Sequence, residues 1–165
     1  MRAIFLILCS VLLNGCLGMP ESVKPVSDFE LNNYLGKWYE VARLDHSFER
    51  GLSQVTAEYR VRNDGGISVL NRGYSEEKGE WKEAEGKAYF VNGSTDGYLK
   101  VSFFGPFYGS YVVFELDREN YSYAFVSGPN TEYLWLLSRT PTVERGILDK
   151  FIEMSKERGF DTNRL

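Results

Sequence analysis

Eight short runs rich in aromatic and β-branched residues follow one another at roughly 36–47, 53–62, 67–75, 81–91, 98–104, 110–116, 121–127 and 132–139. Between them lie turn formers such as NDGG, NGSTDG, GPFYG, DREN and GPNT, none long enough for a crossover connection. Strands joined by tight turns are antiparallel neighbours, and an even number of them can close into a ring that leaves no edge unpaired. The expected fold is therefore all-β, an eight-stranded antiparallel up-and-down barrel, or calyx. A two-sheet sandwich is the alternative, and the lack of long connections argues against it. Aromatic residues make up 15% of the chain, with 11 Tyr and 11 Phe, which fits a strand-rich protein.

One helix should follow the last strand. Thr140 is placed to cap it and Pro141 to occupy its first position, while Val143, Ile147, Phe151 and Met154 recur at helical spacing until Gly159 stops it. That stripe is expected to pack on the outside of the barrel. Upstream, Asp28 reads as the cap of a short helical turn, FELNNYL.

Strand alternation sorts the inner face from the outer. If charges point outward, the inner face holds Ala57, Tyr59, Val69, Asn71, Ala88, Phe90, Val101, Phe103, Tyr111, Val113, Tyr133, Trp135 and Leu137. Eight strands enclose a space just wide enough to fill with side chains or to hold one small ligand. Ala57, Val69, Gly86 and Ala88 are small, and together with a few polar tips they point to a ligand pocket. A filled barrel, serving a structural or interaction role, is the competing reading.

In a meander the start of the first strand and the end of the eighth share one end of the barrel. Trp38 and Arg139 should meet there, the guanidinium lying on the indole as a plug. Residues 48–52, 76–80, 105–109 and 128–131 then ring the opposite end, the mouth. Phe107 and Tyr108 are placed there to gate the pocket, to dip into lipid headgroups or to form a homodimer contact. Arg43, Arg50 and Lys78 are placed there to touch a phosphate, and Tyr39, Glu40 and Asp117 are expected to serve the closed end.

Gly36-x-Trp38, LDREN.Y at Leu116–Tyr121 and Arg139 after the eighth run resemble the three conserved regions of lipocalins, and the match spans residues 28–159. GKWYEVARLDHSFERG, GKAYF, KVSFFGPFYG and SRTPT further resemble the outer-membrane lipoprotein lipocalins of bacteria. The resemblance implies a calyx closed at Trp38 that binds a lysophospholipid or a fatty acid, for storage or transport at the cell envelope. Such relatives often add a short ninth strand, whereas here Leu165 comes soon after the helix.

The N-terminus carries a second resemblance. Arg2 followed by AIFLILCSVLL is a positive segment and an apolar segment, shorter than the ~20 residues of a membrane-spanning helix. LLNGC, residues 12–16, resembles the lipobox of bacterial lipoproteins, with Cys16 as the lipid-bearing residue. Residues 1–15 are thus expected to be a cleaved signal peptide, 16–27 a lipidated tether and 28–165 the barrel with its helix. Cleavage would remove Arg2 and Cys9 and shift the net charge from -4 to -5. By the same resemblance, Leu17 in place of Asp favours a lipid-anchored protein on the periplasmic face of the outer membrane.

Several functions are disfavoured. No long basic run exists to meet a nucleic-acid backbone. His46, the only histidine, has Asp45 and Ser47 as sequence neighbours, and in a strand it would point away from both, so no Ser-His-Asp arrangement is expected. No metal-ligand spacing or phosphate-cradling glycine loop appears, so neither an enzyme nor a cofactor is expected. Haem carriage through His46 at the mouth is a third alternative; a solvated rim histidine is the plainer reading.

Overall fold

The computed structural model describes residues 17–165. The chain forms α1 (Leu31–Tyr34), β1 (Gly36–Arg43), β2 (Leu52–Val61), β3 (Ile67–Ser75), β4 (Glu80–Phe90), β5 (Tyr98–Phe104), β6 (Phe107–Leu116), β7 (Tyr123–Ser127), β8 (Leu134–Ser138) and α2 (Arg145–Glu157), then a 3-10 turn at Thr162–Arg164. The eight strands close in sequence order, each antiparallel to the next, and β1 pairs with β8 through Tyr39 and Ser138. The expected architecture is the observed one. Among the described residues no helix is long and apolar enough to cross a membrane.

Two apolar cores share the barrel wall. The inner core joins Trp38, Tyr59, Val69, Ala88, Val113 and Val126, and Phe29 and Tyr34 enter it from the N-terminal side. The outer core lies beneath α2 and joins Leu44, Val112, Phe114, Phe125, Leu136, Phe151 and Phe160. β7 and β8 are apolar on both faces because each serves both cores: Ala124 and Val126 face inward, and Phe125 meets Phe151 ring to ring at 5.0 Å. The expected stripe of Val143, Ile147, Phe151 and Met154 packs there.

α2 begins later than its sequence suggests. Glu144, not Thr140, stands at the N-cap and makes no side-chain cap. Thr140 Oγ1 is committed to the Thr142 carbonyl and the Ser138 hydroxyl. The C-terminus follows expectation: Gly159 turns left-handed at φ +84, and Gly159 and Phe160 N–H reach the carbonyls of Lys156 and Ser155. This is a Schellman closure, and buried Phe160 supplies its apolar contact.

The N-terminal segment differs more. Within the expected tether, residues 17–27 lie along the wall: Val23 and Val26 are buried, Val26 N–H donates to the Val113 carbonyl, and the Val26 carbonyl accepts from Gly97 N–H. The apolar Val23 and Val26 gain more from burial than from water, so this stretch is part of the barrel. Asp28 does not cap α1; Glu30 stands at that position, and Asp28 adopts φ 53.

Candidate ligand-binding site

The closed end is built as expected and more firmly. Trp38 is fully buried, and its Nε1–H donates to the Tyr34 carbonyl at 2.7 Å. The Arg139 guanidinium lies 3.9 Å from the indole centroid and donates to the carbonyls of Tyr121, Lys37 and Asn33. Gly36 adopts φ +91, a backbone conformation that L side chains rarely take, whereas a Cβ there would make only an ordinary contact with Arg139 Nη1 at 3.6 Å, so glycine serves conformation. Asp117 also works at this end: its carboxylate accepts from Ser122 and from backbone N–H groups of the β6–β7 turn, which lowers its pKa.

Above the plug sits a tyrosine cluster. Tyr34 and Tyr59 each share a hydrogen bond with the Tyr111 hydroxyl, at 2.6 and 2.9 Å. Burial pushes all three phenols well above their ordinary pKa. Beside them Phe29, Leu31, Ile67, Ala88, Leu99 and Val101 line a pocket of about 10 Å³, the room of roughly one water. The roomy hollow expected from Ala57, Gly86 and Ala88 is much reduced at this end, because Phe29, Leu31 and Tyr34 rise into the barrel from below.

The inner-face assignments are met along the wall. Tyr59, Val69, Ala88 and Val113 are buried in the inner core, with Ala57, Phe90, Val101, Tyr111 and Trp135 packed against it. Asn71 faces inward between Ala57 and Ala84 and buries an Oδ1 that has no hydrogen-bond partner. Phe103 sits higher, 43% exposed, over Gly86, where an added Cβ would meet its ring at 2.8 Å. Tyr133 stands at the rim, stacked on Trp135 with centroids 6.2 Å apart.

The mouth holds a polar cluster that strict alternation along β1 hides. The β1–β8 register shifts between Glu40 and Ala42, so Val41 and Ala42 both face the outer core and Arg43 falls opposite Trp135. Arg43 donates to Glu40 Oε1 at 2.7 Å and to the Glu49 and Leu52 carbonyls, so it is pinned rather than free for a phosphate. Glu40, expected at the closed end, belongs here. Trp135 Nε1–H donates to Glu49 Oε2 at 3.0 Å. Burial, then the neighbouring Glu49 carboxylate, raise the Glu40 pKa to about 8, while the close His46 imidazole and the Trp135 N–H help hold Glu49 low.

His46 is not a solvated rim residue. It is 6% exposed and packs edge-on against Phe48 and Trp135, with Tyr133 alongside. Its Nε2 lies 2.9 Å from Glu49 Oε2, close enough to pair though not aligned as a straight hydrogen bond. A haem iron would have to displace that carboxylate. Among the described residues no group of three or more His, Cys, Asp and Glu side chains is arranged to hold a metal ion. Cys16 lies outside the described residues.

A closed eight-stranded barrel with an apolar lining, a plugged base and a polar mouth defines a calyx. Residues 29–165 match the family model described as a lipocalin-like domain. The chain belongs to the lipocalin family. It is 51% identical over 145 residues to the outer membrane lipoprotein Blc of Escherichia coli K12, covering 88% of this chain and 81% of that one. It is 31% identical over 154 residues to temperature-induced lipocalin-1 of Arabidopsis thaliana, covering 88% and 81%. Insecticyanin of the tobacco hornworm shares the fold, with a TM-score of 0.70 at 23% identity over 89% of this chain and 84% of that one.

Proposed function

We propose that this lipocalin is a lipid-anchored protein of the outer membrane, tethered through Cys16, whose barrel takes up a single-chain amphiphile, a lysophospholipid or a fatty acid. The division of the interior carries the reading. Ala57, Val69, Ala88, Val101 and Val113 offer an apolar wall to a hydrocarbon chain, and Asn71, whose Oδ1 is buried without a partner, supplies a polar group for its head. Kinship with an outer membrane lipoprotein supports the location and the anchor.

Pockets for small molecules usually run to roughly 300–1,000 Å³, so the pocket of about 10 Å³ near the tyrosines cannot hold a chain as it stands. Uptake requires Phe103, which covers Gly86, and the tyrosine rings beside the pocket to move. Each buried methylene contributes about 0.8 kcal/mol, enough for a long chain to offset the rearrangement. Native mass spectrometry of residues 17–165 with lysophospholipids and fatty acids of graded length tests the reading. A complex that strengthens with chain length is expected; refusal of every length returns the barrel to a filled, structural role.

A further inference from the structure

The segment from Ser102 to Tyr111, SFFGPFYGSY, carries no charged residue. It forms the β5–β6 turn at the mouth, where Phe104 is 81% and Phe107 63% exposed. Turns at the closed end are different: Arg62 and Asp64, Asp96, and Asp117 to Glu119 put charge into each. An uncharged corner that presents two phenyl rings to solvent lacks a partner among the described residues.

Two further observations indicate what covers it. Tyr108, next to the corner, faces outward beneath the ammonium groups of Lys100 and Lys87, 5.2 and 6.0 Å from its ring centroid. Apolar rings at the tip, then a tyrosine, then two lysines is the order met on passing from acyl chains through the interface to anionic headgroups. The second observation is where the described chain begins. Gly18 N–H donates to the hydroxyls of Ser110 and Tyr98 on the outer face, and the segment runs from there to Val26, beside Val113, toward the closed end. Ser110 is three residues from Phe107, about 10 Å along a strand. Gly18 is therefore held close to this corner.

We propose that the corner Phe104–Phe107 inserts into the interface of a phospholipid bilayer, with Tyr108, Lys87 and Lys100 at headgroup level, and holds the barrel mouth against the membrane. The contact is edge-on. The β3–β4 turn, with Glu76, Glu77 and Glu80 against Lys78 alone, carries net negative charge, would be repelled by anionic lipid and stays in water. A second copy of the chain is a poorer occupant: a two-fold contact through this corner would bring Lys87 and Lys100 of each copy toward those of the other, whereas anionic headgroups complement them. Interfacial membrane contacts, by contrast, are made by a few aromatic and basic residues. The proposal does not depend on which amphiphile the barrel holds.

Residues 17–165 contain both cores and no cysteine, so they suit a test with vesicles of phosphatidylethanolamine and phosphatidylglycerol. Sedimentation should show binding that falls at least about tenfold in Phe104→Ser/Phe107→Ser, with near-ultraviolet circular dichroism and unfolding midpoint unchanged. An environment-sensitive fluorophore on Phe107→Cys should shift to the blue on adding vesicles. The same probe on Val61→Cys, exposed at the closed end, should not. The proposal is overturned if the parent protein ignores vesicles, if both probes respond alike, if the Phe107 probe is already shielded in buffer, or if its shift follows protein concentration without lipid, the signature of a second copy.

Discussion

Replacing Arg139 by Met would test how the base of the barrel is held. The guanidinium stacks 3.9 Å from the Trp38 centroid and donates to three carbonyls, those of Tyr121, Lys37 and Asn33, which come from three parts of the chain. The stack contributes about 0.5–2 kcal/mol. Hydrogen bonds from a charged donor contribute about 1.5–3 kcal/mol each when fully buried, but the Lys37 and Asn33 bonds lie near solvent, and water would take over much of their role. The expected loss is about 2–4 kcal/mol, or a midpoint roughly 5–15 °C lower for a domain of this size. Arg139→Lys should fall between, since an ammonium keeps the charge but reaches fewer carbonyls and cannot lie flat on the indole. Urea unfolding followed by circular dichroism measures both. A change under about 0.5 kcal/mol for Arg139→Met would show that the plug is held by burial of Trp38 alone.

The Glu40 carboxyl, raised to about 8, binds a proton in the folded barrel that the unfolded chain releases near 4.5; stability should therefore fall as pH rises between those values. Glu49 is shifted the other way, so its contribution is lost only in acid. Thermal melts from pH 5 to 8.5 should show this decline in the parent and a flatter profile in Glu40→Gln; parallel profiles would contradict the assignment. Phe151→Ala, which empties a fully buried site against Phe125, should cost about 3–5 kcal/mol. Gly159→Ala should cost about 1 kcal/mol through its left-handed backbone, both read by urea unfolding. Phe103→Ala, which uncovers Gly86 at the rim, should speed acyl-chain uptake in stopped-flow fluorescence with little change in stability; an unchanged association rate would remove Phe103 as a gate.

Alternation along short strands and the brevity of the turns were enough, in the sequence alone, to specify closure into eight strands, the pairing of Trp38 with Arg139, most of the inner face and the stripe by which α2 packs. These follow from local periodicity and strand parity, which a chain carries whatever its partners. Three features depended on tertiary structure. The bulge at Val41 and Ala42 turned Arg43 inward and brought Glu40, Glu49, His46 and Trp135 together, because one extra residue reverses the side chains beyond it. The rise of Phe29, Leu31 and Tyr34 into the barrel set how little space remains beside the tyrosines. The docking of residues 17–27 on the wall turned an apparent tether into structure. Each depends on which distant surface a segment meets, and composition and periodicity hold no record of that.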